Sequence, residues 1–204
     1  MNTQRRALAL GLPLGLLTAC AGGLWPKVAL PPTRYALDAE PRPARLQSAP
    51  ATGPVLLMAA PEMAPDMEGT DLHYLDAQGA LRSYANSAWS APPALLLQPL
   101  LQRALEETGV FSAVLNSPSA ARPDLRLETQ LTHLQHELAS GRVSLQLTGL
   151  LIKLPSRQAL GSRRFSLNLA VERADALAAV AAARQLSQSV AGQLAAWCVQ
   201  LVRP

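Results

Sequence analysis

The sequence predicts an α/β fold in two layers: a mixed, largely antiparallel sheet, with a long C-terminal helix and a second amphipathic helix packed on it as a sandwich. Three observations predict it. Apolar residues alternate with polar ones over three successive stretches, 125–132, 143–149 and 165–171, the period-2 pattern of strands with one buried face. From 174 to about 201 the period changes, and Leu186, Val190, Leu194, Trp197 and Leu201 step by three or four, as along one face of a helix. Upstream, Leu97, Leu100, Leu101, Ala104 and Leu105 repeat that helical spacing.

Taken in order, the chain opens on an export signal. Arg5 and Arg6 make a positive start, and the apolar run 7–17, broken by Gly11, Pro13 and Gly15, falls short of the ~20 residues that span a bilayer. Leu17-Thr18-Ala19-Cys20 then reads as a lipobox, whose small residues admit a peptidase and whose cysteine offers a thiol for diacylglyceryl attachment. The expected organisation is a signal peptide over 1–19, a lipidated flexible tether over 20–33, and one domain over 34–204. Burial of acyl chains at roughly 0.8 kcal/mol per CH2 makes such a terminus a membrane anchor without a spanning helix. Ala21 and Gly22 stand where an aspartate would favour the inner membrane, so the expected place is the outer membrane, facing the periplasm.

Gly22, Gly23, Pro26, Pro31 and Pro32 suit a tether. Residues 35–38 read as a first strand and 39–54, rich in Pro, Ala and Arg, as a loop. The continuous apolar run 55–60, closed by Pro61, suggests a central strand buried on both faces. Residues 72–75 and 81–84 flank Gln78-Gly79 as a hairpin. Ser90 is placed to cap the next helix, whose first turn tolerates Pro92 and Pro93 and whose start Pro99 should kink, and Gly109 should stop it before a strand over 110–115. Trp89 reads as a packing residue at the helix entry, with its N–H bonded or wet. The three alternating stretches follow as a meander with loops at 139–141 and 155–161.

Composition excludes several classes of function. Removing the signal leaves 204 − 19 = 185 residues, enough for one well-cored domain, and its charge is about +4 − 2 = +2 once Arg5 and Arg6 go. Only Lys27 and Lys153 are lysines, so the high pI gives no sign of a nucleic-acid partner. With Cys20 lipidated, Cys198 has no partner for a disulfide and reads as a buried, inert thiol. No Gly-x-Ser-x-Gly elbow, phosphate loop or His-Glu-x-x-His helix occurs. His133 and His136 are three apart on a strand and so face opposite sides, which assigns them no metal. Glu106, Glu107, Asp66, Glu68 and Asp71 read as solvated carboxylates. No catalytic residue, metal or cofactor is therefore assigned. Tyrosine and arginine are the types that most often carry interface energy, so Tyr74, Arg82 and Tyr84 of the hairpin, with His73 beside them, form the first candidate partner surface. A second is the polar meander face at Thr129, Thr132, Ser144, Gln146 and Thr148.

Tyr35-Ala36-Leu37, Val55-Leu56-Leu57, the segment Tyr84-Ala85-Asn86-Ser87-Ala88-Trp89, Pro92, the leucine-rich helix, Gly109-Val110-Phe111 and the terminal Ala196-Trp197-Cys198 occur in an order and spacing that resemble the ABC-type transport auxiliary lipoproteins, which include the paraquat-inducible protein C lipoproteins. The resemblance runs from about Tyr35 to Cys198. It implies an outer-membrane-anchored periplasmic protein that works with an MCE-domain partner and an inner-membrane ABC permease and ATPase in lipid movement, without a catalytic residue, and that assembles as a homo-oligomer. Two readings from other classes stand beside it: a periplasmic lipid-processing hydrolase, and a structural lipoprotein of outer-membrane assembly.

Overall fold

The structure, a computed structural model, describes residues 30–38, 52–117 and 121–203. In chain order its elements are β1 (Thr33–Tyr35), β2 (Val55–Met58), β3 (Glu62–Met63), a 3-10 turn (Pro65–Met67), β4 (Asp71–Leu75), β5 (Leu81–Trp89), α1 (Pro93–Glu106), β6 (Ala113–Leu115), β7 (Leu125–Glu137), β8 (Arg142–Lys153), β9 (Gln158–Ala170) and α2 (Ala176–Val202). The predicted α/β architecture is present: the nine strands among the described residues form one sheet, and both helices pack together on one of its faces.

The long strand β7 organises the sheet. Along one edge it pairs antiparallel with β8 over nearly its whole length, and β8 pairs likewise with β9, giving the expected meander. Along its other edge three short strands line up end to end, all parallel to it: β2 at Leu125 to Leu127, β3 at Gln130 and Leu131, and β4 at His136 and Glu137. β6 extends the sheet beyond β2, while β5 and then β1 extend it beyond β4. The antiparallel ladders are the long ones and the parallel ones are two or three residues each.

Register assigns the faces. Leu127, Leu131, Leu145, Leu147 and Leu151 are at most 1% exposed and belong to the core beneath the helices. The register of β7 against β8 slips by one at Leu131/His133, so the inward set changes from odd to even residues and Leu134 and His136 stay on the covered face. Without that bulge the end of β7 would turn its polar side to the core. Thr129 sits opposite Gly149 on the covered face and is buried, which corrects its assignment to the polar face; Ser144, Gln146 and Thr148 do lie on the open side, half-buried.

Several local expectations shift. The first strand is Thr33–Tyr35, and Leu37 beyond it is fully buried between anchoring contacts, with the Ala36 carbonyl accepting from Arg184 Nε at 2.9 Å and Asp38 paired with Arg103 at 2.7 Å. β2 is interior, between β6 and β7, yet alternates: Leu56 and Met58 are buried while Val55 and Leu57 are half-buried, because helices cover only one face. Ser90 does not cap α1. The cap position is Pro92, with no side-chain bond, and the Ser90 N–H instead bonds the Tyr35 carbonyl. Pro99 lies inside α1 on its exposed side, where the carbonyl that loses its donor meets water. Gly109 takes φ 63°, a left-handed conformation that ends the helical turn as expected.

Candidate functional site

The hairpin of β4 and β5 is fixed from its turn. Asp76 Oδ1 accepts from the N–H groups of Gln78 at 3.0 Å and Ala80 at 2.8 Å, and Gly79 adopts φ 78°, which suits a residue without Cβ. The second carboxylate oxygen accepts from Arg82 Nε at 2.7 Å. The Arg82 hydrogen bond, then that of Ala80, holds the Asp76 carboxyl below its ordinary range, and Asp76 raises Arg82 in turn. The Arg82 side chain, 60% exposed, is thus presented to solvent in a fixed pose.

Tyr74 and Tyr84 come together, their ring centroids 4.8 Å apart and tilted by 48°. Parallel pairing of β4 with β7 sets Tyr74 beside His136, and the Tyr84 hydroxyl lies 2.8 Å from His136 Nδ1. Burial raises the Tyr84 phenol and lowers the His136 imidazole, so at neutral pH the phenol is protonated and donates to a neutral ring. The imidazole proton is then on Nε2, which is buried without a hydrogen-bond partner. The charge of Asp175, at the N-terminus of α2, adds to the rise at Tyr84 and opposes, without overcoming, the effect of burial at His136.

The three candidate residues are therefore divided in role. Tyr74 and Arg82 are available at the surface, whereas Tyr84 also holds up the end of β7. His136 joins the site although the sequence reading only excludes it, with His133, from holding a metal; its partner is 52 residues away in the chain, and no local pattern signals that pairing. His73 is buried, with neither ring nitrogen bonded, so it is not a surface group of the hairpin. His133 is half-buried on the opposite side from His136. Cys198 is wholly buried, which pushes its thiol up to about 12 and keeps it protonated. Cys20 and the signal segment lie outside the described residues, as does most of the tether.

The open face carries a recess of about 300 Å³ where Glu62, Glu128, Gln130, Thr148 and Ser162 converge. Among the described residues no group of His, Cys, Asp or Glu could hold a metal ion, and no helix is long and apolar enough to cross a membrane. What the hairpin can offer is recognition: an exposed guanidinium held by Asp76 and a half-buried aromatic pair braced from within by the buried His136 ring.

A family model for the ABC-type transport auxiliary lipoprotein component matches residues 35–195. Among solved structures, a protein of Xanthomonas campestris assigned to the family DUF330 is similar with a TM-score of 0.68 at 22% identity, over 83% of this chain and 93% of that one. An uncharacterised protein gives a TM-score of 0.62 at 18% identity, over 74% and 95%. A PelC dodecamer from Paraburkholderia phytofirmans gives 0.44 at 11% identity, over 81% and 92%. No curated protein matches the chain.

Proposed function

Because this chain belongs to the ABC-type transport auxiliary lipoprotein component family, we propose that it is the non-enzymatic, outer-membrane-anchored periplasmic component of an ABC system that moves lipid between the inner and outer membranes. In this reading Cys20 carries the lipid anchor, and the folded domain holds an MCE-domain protein that works with the inner-membrane permease and ATPase. Several copies of the chain assemble together.

The observation that carries the proposal is the extent of the family match, which takes in β2 through β9 and α2 as far as Ala195. The likeness rests on a whole domain, not on one motif. The hairpin chemistry supports a holding role, since its phenol, imidazole and guanidinium are occupied with each other and with Asp76.

The test is co-purification of the tagged full-length protein from membranes. Wild type should bring down an MCE-domain protein and the permease, and Tyr74→Ala with Arg82→Ala should bring down less of both while keeping the wild-type melting temperature. Purified protein that turned over a lipid ester or a glycan would overturn the non-enzymatic reading.

A further inference from the structure

β9 is the outermost strand of the meander. Its thirteen residues pair with β8 on one side and with no described strand on the other. An unpaired ladder of this length offers a row of N–H and C=O groups to any extended chain. Its two faces differ. On the open side Ser162, Arg164, Ser166 and Asn168 follow one another, and Arg164 is exposed with no acidic partner among the described residues. On the helix side Leu169 and Val171 form one wall of a groove of about 410 Å³ and Ala178, Ala181 and Ala182 of α2 the other, and Glu172, Arg173 and Gln185 also line it. Arg163 lies on that side too, over the Phe165 ring at 5.3 Å.

We propose that the free edge of β9 is a docking site for an extended polypeptide of alternating acidic and apolar residues, which adds a strand to the sheet. Main-chain bonds supply affinity, and the alternation supplies selection: acidic side chains beside Arg164 on the open face, apolar ones over the groove on the other. A second copy of this chain fits poorly. Two β9 edges paired antiparallel about Arg164 set like charges opposite one another, and the stretch 81–86 of β5, which pairs with β4 on one edge and with no described strand on the other, carries Arg82 and no acid. This inference deepens the holding role proposed above, and rests on it only in taking a polypeptide as the thing held.

The experiment uses detergent-solubilised full-length protein and two dye-labelled peptides of equal length, one alternating glutamate and valine, the other lysine and valine. No transport component is present, so its failure leaves the family-based reading standing. The glutamate peptide should bind more tightly by roughly tenfold, a difference that salt reduces, and should slow hydrogen exchange along β9. Arg164→Glu should reverse the preference and Ala181→Trp, which fills the groove, should weaken binding of both peptides. Arg122→Glu, at an exposed position away from β9, should change neither. Equal binding of the two peptides, binding unaltered by Arg164→Glu, or binding of neither would overturn the proposal, the last leaving the arginines as guards against strand pairing.

Discussion

Trp89 and His136 show how a single side chain is used here. Trp89 was expected to be a packing residue with a satisfied N–H; it is 1% exposed at the end of β5, and its Nε1 has no partner. The ring therefore contributes through burial alone. Trp89→Ala should cost about 3–5 kcal/mol, whereas Trp89→Phe, which removes no hydrogen bond, should cost well under half of that, as read from denaturant midpoints. His136 gives a pH signature. Burial lowers its folded-state pKa below the ordinary 6.5, so its contribution is present in full above that value and is lost as pH falls through the lower folded value. Melting temperatures between about pH 8 and about pH 5 should fall more steeply for wild type than for His136→Gln. Equal slopes would mean that the ring is not held neutral. Neither behaviour is legible in sequence, because burial of one nitrogen depends on what the other end of the chain lays over it.

At the scale of elements, the strands and helices follow from local pattern and their junctions do not. The meander and α2 come from periods of two and 3.6 maintained over many residues. The change of period places the start of α2 near 174; Asp175 fixes it by accepting from the Ala178 N–H at 2.8 Å, and Asp175→Ala should destabilise by about 1 kcal/mol. Ser90 has the right residue type for a cap but is drawn into pairing with β1. Gly149 continues the meander pattern while serving a contact between layers: a Cβ there would lie 3.2 Å from Trp197 Cζ3 and 3.4 Å from Leu194 Cδ1. Gly149→Ala should therefore push α2 from the sheet and cost about 1–3 kcal/mol, detectable in thermal unfolding. An unchanged or raised melting temperature would show that the Trp197 ring gives way without loss.

For the molecule as a whole, the anchor proposed at Cys20 and the described domain occupy separate stretches of sequence. The chain enters the domain at β1 and is held there by pairing with β5, by the Ala36 bond to α2 and by the Asp38 pair with α1. Cys20→Ala should accordingly give a folded protein with the wild-type melting temperature that fractionates with soluble periplasm. A variant that stayed with the outer membrane through a high-salt wash would show that lipid is not the tether.

The sequence by itself determined the two-layer class, the long antiparallel strands, both helices, the buried thiol and the likeness to a family. These depend on side-chain period and residue type, which are local quantities. Tertiary structure alone decided that three short strands run parallel along one edge of β7, that a bulge beside Thr132 keeps His136 inside, that Thr129 is core, and that Tyr84 bonds a histidine far along the chain. Strand pairing joins residues across loops of any length at little added entropic cost, and so leaves no periodic mark in the segments it joins.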